Sequence, residues 1–368
     1  MRKNELREAM ERMHAAEDTY ERVMERASAG CRRGRGPLPA AAVIGVAVAG
    51  VLATGGVAYA VAGGDFFDRV WGDHGTDGRV EWSYMGNNYS QEYGSLDPAA
   101  VSDDLASSVE AVGLSVTGNG YTLTIEDMLV DENGCGVASF TLENPDGLQN
   151  NPEYGLPVEF VPADDAPLDS LGMFSTGEGV SGLIDARWVY DQEFSTDTAA
   201  RGTVYFSTFG SLDNVLSGVF WSLSWHTGEV DENGAVPPDY ANLEECSDAF
   251  VPSKVVGARE FAGEDGSVAT VSPFSIHVDA AWKAGGESGT DKVVLHLADG
   301  STYVVVSDGD ESADMNYYTA NLLEDRTVKY TFTRLVNVSD VVSVEISGAV
   351  GDPLSGEETH AATLVPAA

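Results

Sequence analysis

From Pro37 to Gly64 the chain reads PLPAAAVIGVAVAGVLATGGVAYAVAGG, a run without Asp, Glu, Lys, Arg, His, Asn or Gln. No other feature constrains the architecture as strongly, because roughly 20 apolar residues in a helix are enough to cross a bilayer. The Gly and Ala content is compatible with that, since a helix closes its own backbone hydrogen bonds and Gly is commoner in membrane helices than in soluble ones. Arg32, Arg33 and Arg35 precede the run, and Asp65, Asp68, Asp73 and Asp77 follow it. Positive flanks stay on the cytoplasmic side. The expectation is a single-pass protein of the cell membrane, with residues 1–36 cytoplasmic, a transmembrane helix over 37–64, and everything beyond extracytoplasmic. The competing reading is a cleaved secretory signal, because Ala58-Tyr59-Ala60 is an A-x-A site. Signal cores run about 7 to 15 residues behind short leaders, so an uncleaved anchor fits this longer run and leader better. The sequence has no Leu-x-x-Cys lipobox and no Leu-Pro-x-Thr-Gly sorting motif, which leaves the membrane helix as its visible anchor.

Charge divides at the same place. Residues 1–36 hold nine basic and seven acidic side chains, leaving 11 of the 20 basic and 52 of the 59 acidic residues for the remainder, a formal −41 there. Such a field repels nucleic acid and anionic polymers and attracts cations or basic partners. Nucleic-acid binding is therefore disfavoured, and an acidic exported surface without a specific ligand is the favoured account of the charge. Of three cysteines, Cys31 lies on the cytoplasmic side, whereas Cys135 and Cys246 lie outside, where a disulfide can persist. They are a disulfide candidate, with two free thiols as the alternative.

Residues 4–28 lack Pro and Gly and are rich in helix-forming Glu, Arg, Met and Ala. Leu6, Met10, Met13, Tyr20, Val23 and Met24 make an apolar seam on helical spacing, interrupted at Glu17. A helix this short has no core of its own, so the seam either frays near the membrane or is buried on a cytoplasmic partner. Residues 65–96, rich in Gly, Asn, Ser and Tyr, read as a stalk. A short helix is expected over 97–111, with Asp97 as cap and Pro98 at its first position.

Strands follow. LSVTG and YTLTIEDMLV, then GVASFTLEN after the turn Asp131-Glu132-Asn133-Gly134, alternate as hairpins do, and further runs lie at 182–194, 202–212 and 219–230. The fold class is mainly β: an N-terminal amphipathic helix, one membrane helix, then two β-sandwich-like extracytoplasmic domains over 97–236 and 252–350. The stretch around Pro237-Pro238 reads as the linker between them. Strands of the second domain are expected in SVATV, FSIHVDAAW, KVVLHLA, STYVVV, TVKYTFTRL and VVSVEIS. Residues 312–325 read as a short helix or an irregular excursion, and 351–368 as a disordered tail.

No catalytic constellation is visible. The six histidines stand apart, and there is no His-Glu-x-x-His, Gly-x-Ser-x-Gly, phosphate-cradling loop or Cys-x-x-Cys. An enzyme is not expected, nor is a cofactor. Calcium is the better chemical candidate: Asp-Glu-Asn-Gly occurs at 131 and again at 231, and Asp308, Asp310, Glu311 and Asp314 cluster. None completes a twelve-residue calcium loop, and Asp-x-Asn-Gly is also an ordinary hairpin turn, which is the favoured reading. Asn144-Pro145 and Asn151-Pro152 are turn formers.

Three features together carry a family likeness: ELREAMERMHAAEDTYERVMERA before the span, WGDHG after it, and the C-terminal succession SPFSIHV, LADGSTYVVV, FTRLVNVSDVVSVEISG. In these the chain resembles single-pass proteins of Gram-positive bacteria that carry an extracytoplasmic β domain of unknown function and are described as anti-sigma-like. The resemblance implies a cytoplasmic sigma factor as partner, held at the membrane by the N-terminal segment, and an extracellular ligand it does not identify. The cytoplasmic segment lacks the His and Cys spacing of the zinc-binding anti-sigma class. The leading expectation is a transmembrane signalling regulator docking its partner through Leu6, Met10, Met13, Tyr20, Val23 and Met24. The second is a surface binding or adhesion protein whose cytoplasmic part is only a topogenic leader.

Overall fold

The computed structural model describes residues 64–72, 78–84, 87–94, 96, 100–150, 160–162, 168–176, 179–191, 195–226, 243–282, 290–308, 312–323, 325–352 and 356–367. The amphipathic segment 1–36 lies outside them, as does the expected span apart from Gly64. Among the described residues no helix is long and apolar enough to cross a membrane. The described chain is mainly β, with three short helices: α1 Gly64–Trp71, α2 Asp103–Ser108 and α3 Leu212–Ser217.

After α1 comes the hairpin of β1 Gly78–Tyr84 and β2 Asn87–Tyr93. The next strands are β3 Glu110–Gly118, β4 Tyr121–Val130, β5 Cys135–Glu143, the short ribbon of β6 Leu148–Asn150 with β7 Phe160–Pro162, and β8 Leu168–Ser175. They are followed by β9 Ile184–Asp191, β10 Ala199–Thr208, β11 Val219–His226 and β12 Leu243–Phe250. One sheet has the order β3-β4-β5-β10-β9 and a smaller one β12-β11-β8. Leu123, Ile125, Phe140, Val204 and Phe206 from the first share a core with Met173, Trp221 and Leu223 from the second. These two sheets form the first β unit. The Asn-Gly pair explains its tight turn: Asn119 and Gly120 both take positive φ (49° and 82°) between β3 and β4, the twist that suits a two-residue hairpin loop.

The second β unit comprises β13 Arg259–Ala262, β14 Val268–Val271, β15 Ser275–Asp279, β16 Lys292–Leu297, β17 Thr302–Asp308, β18 Ser312–Met315, β19 Tyr317–Leu322, β20 Val328–Phe332, β21 Val341–Asp352 and β22 Gly356–Pro366. With β1 and β2 they form one continuous sheet, in the order β1-β2-β18-β17-β16-β21-β22-β13-β14-β15-β20-β19. Val293, Leu295, Val305, Val344 and Ile346 from one half of that sheet bury themselves with Phe261, Val271, Ile276 and Phe332 from the other. The sheet therefore folds back over its own core. The hinge is β22, which pairs with β21 from Gly356 to Leu364 and passes its last residues, Val365 and Pro366, to β13.

Several expectations are corrected. Residues 65–96 are not a stalk: they contain α1, whose Phe66, Phe67, Val70 and Trp71 are buried, and a hairpin whose β2 lies parallel to β18. Polar residues there are absorbed rather than solvated, since Ser90 donates to Asp314 and Gln91 Nε2 to the Tyr317 carbonyl (2.7 Å). The helix expected over 97–111 is confined to α2, capped by Ser102, whose Oγ accepts from Leu105 N at 3.1 Å, and β3 already begins at Glu110. Residues 243–250 of the presumed linker are β12, hydrogen-bonded to β11. The excursion at 312–325 holds two strands, β18 and β19, because Asn316 between them turns its side chain into the sheet, its Nδ2 donating to the Val304 carbonyl (2.6 Å). The tail is β22, in which Ala362 and Leu364 face Ile346 and Val344. In 65–96 a composition rich in Gly, Asn, Ser and Tyr suggested a stalk, but a partner strand far away in sequence satisfies the backbone of β2 instead.

Candidate functional site

Alternation places two sets of side chains on opposite faces of the five-stranded sheet. Met128, Val130, Ala138, Phe140, Val204 and Phe206 enter the first unit's own core, while Leu129, Cys135, Val137 and Tyr205 point the other way, into a separate cluster. That second face meets Phe274 and Leu335 of the second unit and the four apolar residues of α1. The helix thus sits in the seam between the two β units. Trp71 is the centre of the aromatic packing, stacked on Phe67 (5.9 Å between centroids) and within 6.5 Å of both Tyr205 and Phe274. Tyr205 donates its hydroxyl to the Val70 carbonyl (2.6 Å) and stacks on Tyr318 of β19 (3.6 Å). Burial pushes both phenols well above their ordinary range, so they act as neutral packing and hydrogen-bonding groups. On the outer side of α1, Arg69 pairs with Glu126. Burial pushes that carboxyl up, but the Arg69 charge and the Thr141 hydroxyl (2.6 Å) outweigh it and hold Glu126 below its usual value.

A polar network crosses the same seam. Asp131, in the turn after β4, is fully buried. Its Oδ1 accepts from the backbone N–H of Asn133 and of Cys135, both at 3.0 Å, and its Oδ2 from the hydroxyls of Ser272 and Ser275 in the second unit, both at 2.5 Å. Asn133 Nδ2 donates to Ser275 Oγ (2.8 Å) and the Thr270 carbonyl (3.1 Å), and Asn133 Oδ1 accepts the Thr270 hydroxyl (2.6 Å). Burial raises Asp131 to about 6, against the pull of the serine hydroxyls, the Cys135 N–H and Lys329. Lys329 reaches from β20 to the carbonyls of Thr208 (3.2 Å) and Gly210 (3.0 Å) in the first unit, and its burial lowers it. Asn321 Nδ2 to the Ser207 carbonyl (2.8 Å) adds a further bond across.

At the rim of the seam lies an open cleft of about 490 Å³. One wall is α2, the second is the connector Val255–Gly257 between the units, and the third is Pro273 with the 3-10 turn Val338–Asp340. Ala100, Leu105 and Val256 belong both to this cleft and to the cluster that holds α1. Val256 is tied down on either side, its N–H donating to the Val130 carbonyl (2.8 Å) and its carbonyl accepting from Glu132 N (3.0 Å).

Of the residues singled out in the sequence, Leu6, Met10, Met13, Tyr20, Val23 and Met24 lie outside the described residues. Cys135 and Cys246 are not bonded to each other: Cys135 is in β5 on the seam face, whereas Cys246 is in β12 against the first unit's core. The expectation of a disulfide came from compartment alone, and the sheet faces separate the two sulfurs. Burial and the neighbouring Asp131 push the Cys135 thiol far up, which removes its nucleophilic form. The first Asp-Glu-Asn-Gly is a hairpin turn, as favoured; all four hydrogen bonds to Asp131 come from the protein, and Glu132 accepts from Ala258 N (2.8 Å). Asp314 is held by Arg79 (2.7 Å) and Ser90. Residues 231–234, Asp310 and Glu311 lie outside the described residues. Among those described, no three His, Cys, Asp or Glu side chains come together as a metal site. The sequence reading missed Phe66, Phe67, Val70 and Trp71, although their i, i+1, i+4, i+5 spacing directly after the apolar run is the signature of a one-sided helix.

No protein-family model matches this chain, and no curated protein matches it. Among solved structures it is similar to the crystal structure of the conserved domain protein from Bacillus anthracis, at 11% identity over 71% of this chain and 92% of that one, with a TM-score of 0.38.

Proposed function

We infer that the chain is a single-pass membrane signalling regulator of the anti-sigma type, in which two β-sandwich-like extracytoplasmic units respond to an envelope condition and the N-terminal segment holds a cytoplasmic sigma factor. One observation carries this reading. The expected span ends at Gly64, where α1 begins, and α1 is locked into the seam between the two units through Phe66, Phe67, Val70 and Trp71. A change in the packing of the units would reach the span through a docked helix, with no slack chain to absorb it. An adhesin held away from the membrane has no use for that coupling, which is why the surface-binding alternative is the weaker of the two. The role is a non-catalytic one, in which the seam's buried charged groups hold the units together.

The test is on the cytoplasmic side. Met10, Met13 and Met24 replaced together by Glu place charges where methionines would be desolvated, at a cost of several kcal/mol unless each finds a partner. A peptide of residues 1–36 is expected to capture a sigma factor, the triple variant to lose it, and transcription from that factor's promoters to rise in cells. If the native peptide captures no sigma factor, or the variant leaves transcription unchanged, the surface-binding reading takes its place.

A further inference from the structure

We propose that the cleft between α2 and the 3-10 turn Val338–Asp340 is a binding site for a cationic aliphatic amine, and that its occupancy is felt at α1. That this makes it the sensor's input rests on the regulator reading; the binding itself does not. Its volume, about 490 Å³, falls within the roughly 300–1,000 Å³ typical of small-molecule sites. Its floor is apolar, with Ala100, Leu105 and Val256 largely buried. Its one charged lining residue among those described is Asp104, exposed in the first turn of α2 beside Asp103.

Among the described residues, no positive charge lines the cleft. The adjacent Lys254 turns its Nζ to the carbonyls of Ser107 (2.7 Å) and Val109 (3.1 Å), closing the C-terminal end of α2. The formal −41 of the chain beyond residue 36 adds a long-range field of the same sign, which draws cations in and keeps anions out. An alkyl chain over Leu105 and Val256 with its ammonium at Asp104 satisfies both features of the cleft. The coupling follows from shared side chains. Ala100, Leu105 and Val256 touch the ligand space on one side and the cluster of Phe66, Phe67, Val70 and Trp71 on the other, so a guest that orders them changes how firmly α1 is held.

The experiment uses the full chain in detergent micelles with cadaverine, a five-carbon diamine, and glutarate, the dianion of equal carbon count, as probes. Binding is read by titration, and coupling by amide exchange over Gly64–Trp71. Cadaverine is expected to saturate one site and slow exchange in α1. Asp104→Asn should weaken binding about threefold, as for an exposed ion pair, and added salt should weaken it further. Gly257→Trp, at a position where a Cβ meets nothing within 4 Å, should fill the cleft and abolish binding, with Ser339→Trp on the opposite wall as the second blocking variant. Unchanged exchange at Phe140 and Val204 in the first unit and at Ile276 and Ile346 in the second certifies that either variant is folded. Saturable glutarate binding, no saturable cadaverine binding, or a cadaverine isotherm untouched by both blocking variants overturns the site. Binding without any change in α1 exchange overturns the coupling. None of these results bears on sigma-factor capture by residues 1–36, so the two readings fail separately.

Discussion

Replacing Asp131 with Ala is expected to weaken the seam by an amount that depends on pH. The carboxylate serves four donors, and two of them, the N–H groups of Asn133 and Cys135, are fixed by the turn and cannot find another acceptor. Each buried orphan costs about 1–3 kcal/mol. The two serine hydroxyls can turn to each other, their oxygens being 3.1 Å apart, and removal of a desolvated charge offsets part of the loss. About 2 kcal/mol remains at pH 7 by this reckoning. Burial raises Asp131 from 3.8 to about 6 in the folded protein. The folded state therefore binds the proton more tightly than the unfolded one. This contribution is fully present below 3.8 and is lost as pH rises through 6. Between pH 7 and pH 5 the native chain gains about 1.3 kcal/mol from this group, and the variant cannot. Amide exchange at Val256 and Glu132, whose cross-seam bonds the substitution leaves in place, measures the difference. After correction for intrinsic rates, protection should fall about 30-fold at pH 7 and a further tenfold at pH 5. An equal loss at both pH values, or an equal loss at Phe140 and Val204 in the first unit's core, would refute the argument.

Trp71→Ala removes the centre of the aromatic packing around α1 and should cost about 3–5 kcal/mol as a large-to-small core change; exchange should accelerate in α1 and at Val256 before it does in the β5–β10 ladder, and simultaneous loss would show that the helix is not a separable element. Thiol titration of the chain unfolded without reductant is expected to find Cys135 and Cys246 both reactive with no mobility difference between reducing and non-reducing gels, while in the folded state Cys135 should resist alkylation.

The strand content was legible because β-branched and aromatic residues alternate over long windows, as in YTLTIEDMLV and TVKYTFTRL, and those windows became β4 and the region of β20. What escaped was everything decided by distant pairing. The hairpin of β1 and β2 owes its place to β18, more than 200 residues later, and nothing within NNYSQEY announces that. The buried role of Asp131 was hidden because an Asp-x-Asn-Gly turn looks the same whether its side chain meets water or the hydroxyls of Ser272 and Ser275. The seam face of β5 and β10 carried a readable trace: Val137 and Tyr205 are apolar at positions where a sheet with one solvated face would carry polar residues.

The placement of β22 has a consequence for the order in which the molecule can be made. It is the last of the described strands, yet it joins the two halves of the long sheet, and β2 and α1, among the first described residues, rest on β18, Phe274 and Leu335, about 200 residues later. A ribosome delivers the N-terminal partners long before these arrive, so Phe66, Phe67 and Trp71 wait uncovered through most of synthesis. Folding of the second unit can finish only once Pro366 has emerged, which makes this a late, high-contact-order event. In that interval the chain depends on chaperones or on its own negative charge to stay unaggregated.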